Sequence, residues 1–169
     1  GRNPIEEADL HAVQWAIDAG ATVAPLPEGA RRLDAYRAAG GYRLYEDCVG
    51  GRRSAEDIIA ALEHANLRGL GGAGFPAGRK WRTVKDQPAP RLMAVNIDEG
   101  EPGTFKDRFY LEREPHRFLE GMLIAAWAVG IEKIYIYLRD EYAGLRALLG
   151  EELDALRAAF PGAPEIELR

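Results

Sequence analysis

Arg91-Leu92-Met93-Ala94-Val95-Asn96-Ile97 is the stretch on which the fold turns. It is a short apolar run, consistent with a buried strand. It empties into Asp98-Glu99-Gly100-Glu101-Pro102-Gly103-Thr104, whose glycines and proline cannot prolong a strand. Downstream, residues 115–129 are apolar almost all round, as expected of a helix wedged between a sheet and other elements, and Gly130 closes them. Residues 133–139 (KIYIYLR) alternate as a strand. Residues 141–159 form an amphipathic helix through Leu145, Leu148, Leu149, Leu153 and Leu156, and residues 165–169 restart a strand. Strand–helix–strand–helix–strand predicts an α/β fold, a Rossmann-like parallel sheet flanked by helices, with 91–97 and 133–138 as neighbouring parallel strands. Ligands of such sheets bind at the carboxyl ends of the strands, which is where the acidic loop after Ile97 sits.

Upstream, residues 5–19 read as a helix closed by Gly20. A Pro-containing connector follows at 24–29, then a short helix at 31–39 ended by Gly40-Gly41, and 42–53 reads as irregular. These pieces predict an N-terminal helical arm, residues 1–53, followed by the sheet domain, residues 54–169. Residues 54–66 are a stronger helix: Ser54 caps it with Asp57 three residues on, and Ala55, Ile58, Ile59, Leu62 and Ala65 share a face. Next comes Arg68-Gly69-Leu70-Gly71-Gly72-Ala73-Gly74-Phe75-Pro76-Ala77-Gly78-Arg79-Lys80-Trp81, too glycine-rich at its start for a helix interior. No internal repeat or low-complexity tract is present.

The 169 residues suit one globular domain with a small appendage, and 47% hydrophobic with 29% charged residues argues against wholesale disorder. A net charge of −5, with no basic stripe, argues against nucleic-acid binding. The single cysteine, Cys48, cannot form an internal disulfide, nor alone hold zinc or an iron–sulfur cluster. It reads as an inert residue near a loop, and a reducing, cytoplasmic setting is expected. Nothing resembles a signal peptide or a spanning helix, so no membrane insertion is expected. The closing strand, with nothing after it to complete a motif, reads as the end of a fragment.

Two loops carry candidate chemistry. Gly69, Gly71 and Gly74 match G-x-G-x-x-G, with Lys80 near enough to add a positive charge. Bare backbone lets N–H groups approach an anion. A helix rather than a strand precedes the match, which excludes the ordinary dinucleotide fingerprint, and the Gly-Lys-Ser/Thr ending of a Walker loop is missing. The loop reads equally as a phosphate cradle and as a tight structural turn. The second candidate is Asn96, Asp98, Glu99 and Glu101. Three carboxylates within four residues need a cation, hydrogen-bond donors or water; a divalent metal, a ligand's hydroxyls or amide, and plain solvation all remain open. His11, His64 and His116 have no metal or triad spacing and read as surface or capping residues. Trp15, Trp81 and Trp127 read as packing, as do Tyr135 and Tyr137 on one strand face.

Together, residues 69–81 and 96–108 (NIDEGEPGTFKDR) resemble the flavin-binding subunit of respiratory complex I. They are similar also to the diaphorase subunit of NAD-reducing hydrogenases and the beta subunit of soluble NAD-dependent formate dehydrogenases, the last in the closest wording. Pro115-His116, Glu120-Gly121 and residues 135–142 (YIYLRDEY) continue the likeness, which spans roughly residues 30–160. The resemblance implies an FMN-dependent NADH dehydrogenase, or diaphorase, module using FMN and NAD. Gly69, Gly71, Gly72, Ala73 and Gly74 would line the FMN cleft, with Lys80 as a polar contact. Asn96, Asp98 and Glu99 would hold the flavin, Phe75 would stack on the adenine of NADH, and Glu101 would lie near the nicotinamide dinucleotide as the catalytic residue. No metal ligand is implied.

The resemblance also implies partners: a thioredoxin-like iron–sulfur subunit and a larger catalytic subunit, with a cubane iron–sulfur cluster in the full-length parent only. Two positions depart from the pattern. Leu70 stands where complex I members usually have Arg, and Thr83 lies where many carry a second aromatic. The family continues beyond residue 169 with further flavin contacts, so this chain alone is expected to bind FMN weakly or not at all. A non-catalytic nucleotide- or anion-binding module is the rival reading; yellow colour on purification separates the two.

Overall fold

The computed structural model describes residues 26–70 and 72–169. Seven helices and three strands lie among them: α1 (Leu33–Ala38), α2 (Arg43–Val49), α3 (Ala55–His64), α4 (Ala77–Lys85), β1 (Leu92–Ile97), α5 (Lys106–Arg113), α6 (Pro115–Val129), β2 (Lys133–Leu138), α7 (Ala143–Ala159) and β3 (Glu165–Leu168). The sheet is parallel in the order β1-β2-β3, with Leu92 opposite Lys133, Ile97 opposite Leu138, and Lys133 opposite Glu165. The mixed α/β class and the pairing of β1 with β2 are as expected. The helix expected at 5–19, with His11 and Trp15, lies outside the described residues.

Both crossovers step the same way across the sheet, so α6 and α7 fall on one face. Met93, Val95, Ile97, Ile134, Ile136, Leu138, Ile166 and Leu168 point into the core with them. The alternate residues point the other way. Leu92, Ala94, Asn96 and Tyr137 are exposed, Tyr137 at 55%. Two expectations are thereby corrected. β1, expected as a buried strand, is an edge strand among the described residues, with alternating exposure. Tyr135 and Tyr137 do not pack in the core; Tyr135 lies beside the Lys133 ammonium and the Arg169 guanidinium on the open face.

α6 is apolar all round because α1 to α5 pack on it as well as α7. In α3, Ser54 accepts the Asp57 amide while Asp57 accepts the Ser54 amide, so the expected cap is a complete capping box. Residues 43–49, read as irregular, are helical, and Cys48 is buried in that helix with its thiol pushed up by desolvation. No helix among the described residues is long and apolar enough to cross a membrane.

A buried polar cluster ties α1 and α2 to the sheet helices. His116 and Tyr42 are completely buried, and the Tyr42 hydroxyl lies 2.8 Å from His116 Nδ1. His116 Nε2 meets Glu152 Oε2 at 2.5 Å, and Arg32 joins the same carboxylate. Tyr36 donates to Glu120 at 2.6 Å beside them. The expectation of a surface or capping role for His116 is therefore overturned: with both nitrogens partnered, the ring tolerates full burial. His64, by contrast, is exposed at the end of α3.

Candidate cofactor-binding site

The inward turn of Ile97 fixes Asn96 on the open sheet face, in register with Tyr137. Asn96 Oδ1 accepts the Asp98 amide at 3.0 Å, closing the first turn of the acidic loop. Asp98 and Glu101 are exposed. Thr104 Oγ1 donates to the Glu101 carbonyl at 2.6 Å, which holds the loop's far side.

Glu99 is built differently from its neighbours. Its φ of 42° lies in the left-handed region, a cost on the order of 1–3 kcal/mol for a residue with a side chain. Its carboxylate accepts the amides of Asp107 (2.8 Å) and Arg108 (3.2 Å) at the start of α5, and the Tyr142 hydroxyl at 3.1 Å. Its carbonyl accepts Arg139 Nη1 at 2.6 Å. Partial desolvation pushes the Glu99 carboxyl upward, but these amide and hydroxyl donors outweigh it and hold the group below its ordinary value. Desolvation, and then the Glu99 carboxylate, push the Tyr142 phenol up. Arg139 is itself held by Glu141 at 3.0 Å, and its guanidinium lies 5.9 Å from the centre of the Tyr142 ring. Among the described residues, no group of three His, Cys, Asp or Glu side chains is placed to hold a metal ion.

The glycine loop is pinned at its neck and open at its tip. Arg68 bridges to Pro76, the Gly69 amide donates to the Phe75 carbonyl at 3.0 Å, and the Ala77 amide donates to the Leu67 carbonyl at 2.8 Å. Arg68 also reaches the Asn66 side chain at 3.0 Å and the Gly74 carbonyl at 3.1 Å. Gly72 (φ 93°) and Gly74 (φ 60°) turn the chain where a side chain would strain it, and a Cβ on either would meet nothing within 4 Å. No described residue accepts a hydrogen bond from the amides of Gly72, Ala73 or Gly74. Gly71 lies outside the described residues.

Leu70 is fully exposed and Phe75 half-exposed, with the Arg79 guanidinium 5.8 Å from the Phe75 ring centre. Pro76 ends the loop and α4 begins, carrying Lys80 exposed on its surface. α4 sits hard against α3: a Cβ on Gly78 would lie 2.5 Å from Glu63 Cγ and 3.0 Å from the Ile59 carbonyl oxygen.

Gly69, Gly72, Ala73, Gly74, Phe75 and Lys80 thus share one loop-into-helix unit. Asn96, Asp98, Glu99 and Glu101 share the carboxyl end of β1. Arg139 and Tyr142, from the chain after β2, reach the second group; sequence reading gave them no role, because their partner lies about forty positions away and no local spacing reports it.

A family model, the Nuo51 FMN-binding domain, matches residues 62–168. The F 2 subunit of the NADH-quinone oxidoreductase of Rhizobium meliloti is 46% identical over 118 residues, covering 69% of this chain and 28% of its own length. The alpha subunit of the NAD-reducing hydrogenase HoxS of Cupriavidus necator is 47% identical over 103 residues, covering 60% of this chain and 17% of its own. Among solved structures, an NAD+-reducing [NiFe]-hydrogenase in the H2-reduced state superposes with a TM-score of 0.62 at 41% identity, covering 68% of this chain and 20% of that one. The chain spans less than a third of the length of these relatives. With the family model matching well over half of its residues, this chain belongs to the Nuo51 FMN-binding domain family.

Proposed function

We propose that the glycine loop and the acidic loop form two walls of one FMN site, and that the chain is part of an FMN-dependent NADH dehydrogenase, or diaphorase, module. The observation that carries this is the complementarity of the two loops. One offers amides at Gly72, Ala73 and Gly74 that no described residue engages, with the Lys80 ammonium one helical turn on. That set suits the phosphate of a flavin nucleotide. The other offers the Asn96 amide and the Asp98 carboxylate, acceptors for the hydroxyls of its sugar chain.

Bound FMN would supply the two-electron centre that accepts a hydride from NADH or returns one to NAD+. The chain's own residues would do the rest. Gly69, Gly71, Gly72, Ala73 and Gly74 would line the FMN cleft, their lack of bulky side chains suiting a flat ring and a phosphate. Asn96, Asp98 and Glu99 would hold the flavin, with Glu99 also setting the path of the acidic loop. Phe75, half-exposed, would offer a face for the adenine of NADH, and Glu101, which is exposed, would lie near the nicotinamide dinucleotide as the catalytic residue. With an open tip at the glycine loop and an exposed Asp98, the two walls admit water, which weakens each polar contact.

The finer reading places the chain in the formate dehydrogenase branch, on the wording of the likeness over residues 69–81 and 96–108 and its downstream continuation. The whole protein would be cytoplasmic, partnered by a thioredoxin-like iron–sulfur subunit and a larger catalytic subunit, with its iron–sulfur cluster in parts of the protein beyond these residues. The arm (1–53) and the sheet domain (54–169) are the two units of the proposed organisation.

The test is FMN titration of the 169-residue chain by flavin fluorescence quenching, followed by NADH:ferricyanide assays. Weak, saturable quenching that Asp98→Ala and Gly72→Val each diminish is the expected result, with low turnover in excess FMN. Saturable quenching indifferent to both substitutions contradicts the site. Tight binding with robust turnover would contradict the idea that these residues supply only part of the pocket.

A further inference from the structure

We infer that Arg139 and Tyr142 are positioning residues for the flavin site, acting through Glu99 to fix the acidic loop. The inference rests on the site proposed above and adds two residues that need not touch the cofactor.

The geometry is specific. Glu99, itself a proposed flavin contact, stands between the other two in this loop, Asn96 and Asp98, and the proposed catalytic residue Glu101. Its left-handed backbone is a conformation that a residue with a Cβ holds only when its surroundings enforce it. The enforcement comes from three directions. The Asp107 and Arg108 amides fix the carboxylate from the start of α5. Tyr142, at the entry to α7, fixes the same carboxylate through its hydroxyl at 3.1 Å. Arg139, just past β2, fixes the carbonyl at 2.6 Å.

Arg139 is in turn aligned at both ends. Its amide donates to the Ile97 carbonyl at 3.1 Å, continuing the β1–β2 ladder, and Glu141 holds its guanidinium. The loop that follows β1 is therefore shaped by the loop that follows β2. A side chain positioned in this way keeps its place without reorganising when a ligand arrives, and losing the brace widens the range of loop shapes that binding must then narrow.

The test uses the full-length flavoprotein in its assembled enzyme. Tyr142→Phe removes one hydroxyl and keeps the ring; Arg139→Met removes the guanidinium, and Arg139→Lys restores one donor. Asp98→Ala serves as the direct-contact control. Three quantities are measured on each: the FMN dissociation constant, the flavin midpoint potential, and kcat and KM for NADH. Tyr142→Phe should weaken FMN binding about three- to tenfold, the effect of one lost hydrogen bond. It should also shift the flavin potential while the unfolding midpoint of the flavoprotein stays near that of the parent. Arg139→Met should act in the same direction, and Arg139→Lys should recover part of the loss.

If Asp98→Ala weakens FMN binding but Tyr142→Phe and Arg139→Met leave both affinity and potential unchanged, the positioning role is wrong and the site stands. If Asp98→Ala also has no effect on flavin, the site itself is wrong and the inference falls with it. Should Tyr142→Phe fail to fold, the Arg139 pair alone decides: Lys recovering no more than Met contradicts the brace.

Discussion

The Tyr42 hydroxyl and His116 Nδ1 lie 2.8 Å apart with both side chains completely shielded from water. Tyr42 reaches that position from a left-handed backbone, φ 64°, at the residue before α2. Burial pushes the Tyr42 phenol well above its ordinary range, so it meets the imidazole as a neutral hydroxyl. The far nitrogen of the ring is committed to Glu152, which also meets Arg32. The pair therefore links α2 to α6, and through Glu152 to α7.

Tyr42→Phe keeps the ring and deletes the hydroxyl, leaving His116 Nδ1 buried without a partner. The expected loss is about 1–3 kcal/mol, the desolvation cost of an orphaned polar group. Urea unfolding of parent and variant measures it. An unchanged midpoint would mean that the hydroxyl contributes nothing and that α2 is held by apolar packing alone.

Gly78→Ala probes the seat of the glycine loop. Its new methyl would meet Glu63 Cγ and the Ile59 carbonyl oxygen, and the backbone oxygen cannot swing aside. α4 must then move off α3, a destabilisation of roughly 1–3 kcal/mol, as for other overpacked interiors. Because the loop ends at Pro76, immediately before α4, FMN binding should fall with stability. Calorimetry and flavin titration on the same preparation check both; a stable variant with unaltered flavin binding would show that the contact is slack.

Glu99 should leave a mark on acid stability. Its carboxyl is held below its ordinary value, so it stabilises the fold at pH values above about 4.5, the unperturbed value. That contribution is lost as the pH falls below 4.5 and through the folded-state value. Glu99→Gln, which cannot titrate, should be less stable than the parent at pH 7 and should show a shallower decline below about pH 4.5. Parallel stability curves from pH 7 to pH 3 would contradict the linkage.

Much of this fold can be read from periodicity. The alternation of residues 133–138, the all-round apolarity of 115–129 and the leucine spacing of 141–159 report β2, α6 and α7 because each element buries a face whose period is its own. Ser54 and Asp57 mark the start of α3 because a capping box is a local interaction. The failures are equally physical. α4 and α5 are mostly polar: α4 meets the core through few apolar side chains, such as the partly buried Trp81 and Val84, and follows directly on a glycine-rich loop, while the apolar periodicity of α5 is faint. α2 begins from a left-handed tyrosine next to paired glycines, a setting that reads as a turn.

The site divides in the same way. The two loops stand out in the sequence because glycine runs and clustered carboxylates are unusual compositions. The brace on Glu99 does not, since its donors come from α5, from the end of β2 and from the entry to α7. Nor does the depth of His116, whose partners Tyr42 and Glu152 lie 74 and 36 positions away.

The most direct test of the two-walled FMN site is an amide NMR titration of the 169-residue chain with FMN. If the glycine loop and the acidic loop hold one flavin, the signals of Gly69 to Gly74 and of Asn96 to Glu101 should move together and saturate on one isotherm, however weak the binding. Movement of one loop without the other, or two isotherms with different midpoints, would contradict the shared site.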